Sequence, residues 1–156
     1  MFRILKIRNF MPLIIILLLM YMVLSESTYT VIGTSMEPTF TDGQKVTLSF
    51  TKTYLRDDVI VFTNSGTRCI KRIVGMPGDV ISLKDNSLYI NDGLYLEDAS
   101  TESNTYFVYS EYILGDDEYF VLGDNTKSSI DSRIYGPVKS RDIKGVVLYA
   151  AKELSS

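Results

Sequence analysis

The sequence predicts a mostly β protein: an antiparallel sheet domain carried behind one N-terminal apolar helix. Three observations predict it. Phe10 to Leu24 is an apolar run without a charged residue. Beyond it, apolar residues come in short runs closed by turn residues, and no stretch keeps a 3.6-residue period. Asp85-Asn86 and Asn91-Asp92-Gly93 stand where tight hairpins are needed, because asparagine and glycine tolerate the positive φ of such turns.

The elements follow in order. With Asn9 and Ser25 the apolar run reaches the short end of a membrane span, which takes roughly 17 to 25 residues. Residues 1–9 then form an N-terminal tail, 10–25 a transmembrane anchor and 26–156 a β-rich domain. Arg3, Lys6 and Arg8 precede the run, and no basic residue follows it until Lys45, so the positive-inside rule puts the tail in the cytoplasm and the domain outside. The same segment also fits a cleavable secretory signal ending at Ser25-Glu26-Ser27. In either case the β-domain faces the extracytoplasmic side.

Strands are expected at Thr28–Ile32, Lys45–Phe50, Val59–Thr63, Arg68–Val74, Val80–Leu83, Leu88–Ile90, Leu94–Leu96, Tyr119–Leu122 and Gly145–Ala150. Residues 97–118 are acidic, polar and dotted with tyrosine, which predicts a long loop with one strand at Tyr106–Tyr109.

Composition narrows the chemistry. All 19 acidic residues but only 13 of the 16 basic ones lie beyond the apolar run, so the domain carries a net charge of −6 and a nucleic-acid partner is not expected. Cys69 is the one cysteine and histidine is absent, so neither an intramolecular disulfide nor a usual zinc ligand set can form, and no metal is expected. Cys69 itself reads as a buried structural thiol among Ile70 and Ile73. Without histidine, a nucleophilic serine can only be deprotonated by a lysine.

Two segments supply such a pair: Gly33-Thr34-Ser35-Met36-Glu37-Pro38-Thr39-Phe40 and Lys71-Arg72-Ile73-Val74-Gly75-Met76-Pro77-Gly78-Asp79. An exposed lysine is neutral in only about one molecule in 2,500 at pH 7, so Lys71 must be desolvated to act as a base. Strand alternation places it with Cys69 and Ile73 on one face and turns Arg72 to the other.

These segments, with Asp57-Asp58-Val59-Ile60-Val61-Phe62 and Gly123-Asp124-Asn125-Thr126-Lys127-Ser128-Ser129-Ile130-Asp131-Ser132-Arg133, resemble in order the four conserved boxes of type I signal peptidases. The resemblance implies a catalytic β-domain of the signal-peptidase and repressor-autoprotease type, needing no cofactor, with residues 97–118 as a variable insertion. It implies Ser35 as nucleophile and Lys71 as general base. The Ser35 N–H would be the first oxyanion donor. Many relatives place a hydroxyl two residues before the nucleophile, where this chain has Gly33, so the Gly33 N–H or the Thr34 hydroxyl would substitute.

By the same resemblance Ser129 would orient the lysine, and Asp131 and Arg133, read as two residues on one strand face, would form a bracing ion pair. Thr126 stands where the box usually has arginine. Val31, Met36, Phe40, Cys69 and Ile70 would line shallow pockets for small residues one and three positions before the cut. The implied partners are secretory preproteins and the lipid bilayer, at the plasma membrane. A reach of about 36 Å from Leu24 to Ser35 keeps the nucleophile close to the membrane surface. A rival reading keeps the motifs without turnover: a membrane-anchored β-domain that binds secreted or pilus proteins. Ser49-Phe50-Thr51-Lys52 also matches the S-x-x-K pattern of penicillin-binding proteins, but no S-D-N or K-T-G follows it.

Overall fold

The computed structural model describes residues 3–26, 28–100 and 111–148, with side chains of residues 10–21 in the first helix. In chain order these hold α1 (Arg3–Glu26), β1 (Thr28–Thr30), β2 (Lys45–Ser49), β3 (Val59–Asn64), β4 (Thr67–Gly75), β5 (Val80–Lys84), β6 (Ser87–Ile90), β7 (Gly93–Leu96), β8 (Glu111–Ile113), β9 (Glu118–Leu122), α2 (Ser132–Tyr135), β10 (Val138–Lys139) and β11 (Ile143–Leu148). Two sheets result, one in the order β1-β2-β11-β3-β4-β9-β10 and one in the order β7-β6-β5-β8. Every strand pairing is antiparallel.

Helix α1 is 24 residues long, and its side chains from Phe10 to Tyr21 are exposed. Those twelve residues cover about 18 Å at 1.5 Å per residue. Among the described residues no helix is long and apolar enough to cross a membrane.

The larger sheet is buried on both faces around its centre, which explains the unbroken Val59-Ile60-Val61-Phe62 run. Val59 and Val61 pack with Val31, Met36, Phe40 and Val46 on one face. Ile60 and Phe62 pack with Ile73, Val121 and Val138 on the other. A third cluster joins the sheets, with Val74, Phe120 and Leu122 meeting Ile81, Leu88 and Leu114. Each such side chain contributes about 1.5–3 kcal/mol on leaving water. Gly75 sits at this junction, where a Cβ would lie 2.8 Å from Phe120 Cβ and 2.9 Å from both Ile81 and Leu114.

The expected strands are present, with shifts at their ends. β3 and β4 extend to Asn64 and Thr67 because Ser65 (φ 48°) and Gly66 (φ 82°) close a two-residue hairpin between them. The expected turns are found too, with Asp85, Asn86, Asn91 and Asp92 all at positive φ.

Two expectations are corrected, and one short strand was not expected. The segment 97–118, read as a long loop with one strand at Tyr106–Tyr109, holds a strand at Glu111–Ile113: β8 pairs with β5, placing Ile113 opposite Val80, and Ala99 is fully buried. Asp131 and Arg133 do not share a strand face; Asp131 caps α2 by accepting the Arg133 N–H, and Arg133 lies inside that helix. β10, which pairs Val138 with Tyr119, carries too few residues for an alternation to show. The expected strand at Tyr106–Tyr109 lies outside the described residues.

Candidate active site

β1 runs into a short loop that presents Ser35. Gly33 takes φ +84° and donates its N–H to the Asp42 carboxylate at 2.7 Å. The next turn closes through Glu37 N–H to the Thr34 carbonyl at 3.1 Å and Phe40 N–H to the Met36 carbonyl at 2.9 Å. Met36 and Phe40 are buried in the core on either side of Pro38, so they anchor the loop from beneath. From the other side, the Asn125 N–H donates to the Ser35 carbonyl at 3.0 Å and the Asn125 amide to the Thr34 carbonyl at 3.3 Å.

Lys71 comes from the middle of β4, opposite Ile60 of β3. Its side chain is 5% exposed, and Nζ stands 2.7 Å from Ser35 Oγ and 2.8 Å from the Ile70 carbonyl. Burial holds the Lys71 amine below the ordinary lysine range; Cys69, Asp131 and Asp124 pull weakly the other way. A neutral amine here keeps one N–H donated to Ile70 and turns its lone pair to the serine, whose O–H then donates to Nζ. The arrangement can therefore take a proton from Ser35 and return it. The Ser35 N–H has no hydrogen-bond partner among the described residues.

The surroundings are braced by charge. Arg72, on the opposite face of β4, donates Nε and Nη2 to the two Asp124 oxygens at 2.8 and 2.6 Å and Nη1 to the Asp57 carbonyl at 2.8 Å. Burial pushes the Asp124 carboxyl up, but hydrogen bonds from Arg72 and Thr39 outweigh it and hold it below its usual range. Asp131 and Arg133 form a second, fully buried pair, with Nε–Oδ1 and Nη2–Oδ2 both at 2.8 Å. Asp131 also accepts the Gly123 N–H at 3.1 Å, and Arg133 donates to the Thr126 carbonyl at 2.7 Å and the Ala99 carbonyl at 3.2 Å. Thr126 thus serves the bracing network with its main chain.

A cavity of about 460 Å³ opens beside the pair, lined by Tyr29, Val31, Ile32, Cys69, Ile70 and Arg68 together with Ser35 and Lys71. Three strands lie between β1 and β4 in the sheet, yet both line this cleft.

Of the residues singled out in the sequence, Ser35, Lys71, Val31, Cys69 and Ile70 meet here. Met36 and Phe40 do not line the cavity, because they are spent on holding the loop in the core. The Gly33 N–H is engaged by Asp42, and Ser129 makes no hydrogen bond to Lys71. The Ser129 hydroxyl is buried without a partner, packed against Gly123. Cys69 is half-buried at the cavity wall rather than enclosed in the core.

Sequence reasoning missed the roles of Asn125, Arg72, Asp124 and Asp42. The first three sit inside the quoted boxes, and their polar character amid strands was the available signal. Among the described residues no cluster of three or more His, Cys, Asp or Glu side chains could hold a metal ion.

An antiparallel β-domain that sets a serine hydroxyl against a desolvated lysine amine, in a chain without histidine, has the makings of a serine endopeptidase. The chain belongs to the family described as signal peptidase, peptidase S26, whose model matches residues 3–150. It is 34% identical over 137 residues to signal peptidase I V of Bacillus subtilis (strain 168), covering 76% of this chain and 82% of that protein. It is 34% identical over 118 residues to signal peptidase I of Bacillus amyloliquefaciens, spanning 64% of that protein's length. A crystal structure of a signal peptidase I from Enterococcus faecalis V583 matches 62% of this chain and 97% of its own, at 31% identity and a TM-score of 0.46.

Proposed function

We propose that this peptidase removes signal peptides from secretory preproteins after a small-x-small site, with Ser35 as nucleophile and Lys71 as general base. The contact of 2.7 Å between Lys71 Nζ and Ser35 Oγ, at the wall of an apolar cavity, is the observation that carries this reading. Neutral Lys71 accepts the Ser35 proton, the serine oxygen attacks the scissile carbonyl, and Lys71 returns the proton to the departing amine. Water then releases the acyl-enzyme.

The developing oxyanion needs donors already aimed at it. The unpaired Ser35 N–H supplies one and the Thr34 hydroxyl the second, the Gly33 N–H being held by Asp42. Ser129 serves as a positioning residue by filling the space behind Gly123. The Asp131–Arg133 pair keeps that loop in place.

The substrate binds as an added strand. β1 pairs only with β2, and β4 pairs with β9 only from Arg72 onward, so both walls of the cleft present unpaired backbone to an extended peptide. Val31, Cys69 and Ile70 then receive the small side chains before the cut.

Residues 10–25 anchor the enzyme in the plasma membrane, with residues 1–9 cytoplasmic and 26–156 outside. Supporting this, the described side chains of α1 from Phe10 to Met20 are apolar and stand exposed on every face. Lipid satisfies such a helix; water does not.

The test is cleavage of a purified preprotein in vesicles by the full chain, compared with Ser35→Ala and Lys71→Ala. The reading requires loss in both variants; equal cleavage by either removes the assignment, and no cleavage by the unaltered chain favours a binding domain that keeps the motifs.

A further inference from the structure

The cleft has one feature that removal of a proton from Ser35 does not use. Arg68 lines it at the end away from the reacting pair, with its guanidinium carbon 5.2 Å from the centroid of the Tyr29 ring. The other strongly placed arginines of the domain, Arg72 and Arg133, are matched to carboxylates. Arg68 makes no ion pair among the described residues. The charge is held by stacking, which fixes its place and leaves its N–H groups open to a ligand. It is also set in a domain of opposite net charge, so its role is local.

Position along the strand says which part of a substrate it meets. Arg68 precedes Lys71 by three residues on β4, a separation of about 10 Å at 3.3–3.4 Å per residue. An extended peptide on this wall has the same rise, so Arg68 faces a residue three to four positions from the scissile bond. Val31, Cys69 and Ile70 lie between, on the side that receives the residues before the cut.

We propose that Arg68, positioned by Tyr29, is a specificity residue that selects a carboxylate side chain four residues before the cleaved bond and disfavours a cation there. This rests on the peptidase reading for the direction of the bound chain. An exposed pair is screened by salt, so the preference belongs to low ionic strength.

The experiment uses the full chain in neutral detergent, with peptides that keep small residues one and three positions before the cut. The fourth position is Glu, Gln or Lys; a control set varies the second position after the cut. Wild type is expected to favour Glu over Lys at the fourth position by about 10-fold in kcat/KM at low salt, summing one attraction and one repulsion of exposed charges. In 1 M salt the ratio should fall toward one. Arg68→Gln should level it and Arg68→Glu reverse it, while the control ratio stays near one throughout.

A wild-type ratio near one overturns the proposal. So does a ratio that survives in Arg68→Gln, or a larger effect after the cut than before it. Binding of the same peptides to the Ser35→Ala variant, read by fluorescence anisotropy, separates this from the peptidase reading. Charge-ordered binding that reverses in Ser35→Ala/Arg68→Glu supports the Arg68 assignment even if wild type cleaves nothing, and binding without order overturns it.

Discussion

Asp131 and Arg133 pair through two hydrogen bonds of 2.8 Å with neither side chain exposed to solvent. Removing one partner strands a buried charge, which costs about 3–5 kcal/mol. Asp131→Asn and Arg133→Met should each lower stability by that order in urea unfolding. The double variant should lose less than the sum, since it leaves no ion unpaired.

Gly123 is wedged between the Ser129 side chain and the Ser35 backbone. A methyl group there would collide with Ser129 and lie 2.5 Å from the Ser35 carbonyl oxygen. Gly123→Ala should therefore displace Ser35 by a fraction of an ångström to an ångström and, on the proposed mechanism, lower kcat/KM about 10²-fold. Adding Ser129→Gly removes both contacts with Ser129, Oγ and Cβ, leaves the one with the Ser35 carbonyl, and should restore part of the rate. Steady-state kinetics on a preprotein peptide reads both effects.

Lys71→Met should lower activity by about 10³–10⁴-fold, the scale of general acid–base catalysis, and yet raise stability. Burial depresses the Lys71 pKa in the folded protein, so the unfolded chain holds the proton more tightly. The resulting destabilisation is fully present below the folded value and disappears as pH climbs from there toward the ordinary lysine range. Wild-type stability should thus rise with pH across that window. Lys71→Met, measured by unfolding at several pH values, should lack this rise.

Cys69 is half-buried on the cavity wall beside Lys71. Burial pushes its thiol up, with the Lys71 charge opposing, so it should react slowly with alkylating reagents at neutral pH and faster as pH increases. A bulky adduct would occupy the cleft and reduce peptide cleavage more than about 10-fold. Cys69→Ala should be insensitive to the same reagent. Mass spectrometry of the adduct against residual activity makes the comparison.

Much of the fold was legible because β3 carries the unbroken apolar run Val59-Ile60-Val61-Phe62 and the hairpins carry Asp85-Asn86 and Asn91-Asp92, whose conformations few other residues accept. The short elements were not. β8 and β10 offer too few residues for an alternation to show, and β8 lies in a polar segment held by its partner β5.

At the site, the missing histidine called for a lysine base, the resemblance of the two segments to signal-peptidase boxes singled out Ser35 and Lys71, and the alternation that buries Lys71 and turns Arg72 to the other face followed from strand geometry. Met36 and Phe40 pack in the core rather than among the residues lining this cavity, and an apolar residue beside a serine loop looks alike from sequence whether it lines a pocket or anchors the loop. The engagement of the Gly33 N–H by Asp42, nine residues on, depends on how the loop folds back, which local pattern does not contain.

The central claim is that the Lys71 amine is neutral enough at working pH to take the Ser35 proton. Nitrogen NMR of the Lys71 Nζ in the full chain, assigned by the signal lost in Lys71→Met, measures this directly. The expected midpoint lies below that of the exposed lysines and coincides with the acidic limb of the kcat/KM profile for peptide cleavage. A Lys71 midpoint in the ordinary lysine range near 10.4, with cleavage already at its plateau well below it, would rule out Lys71 as the base for Ser35.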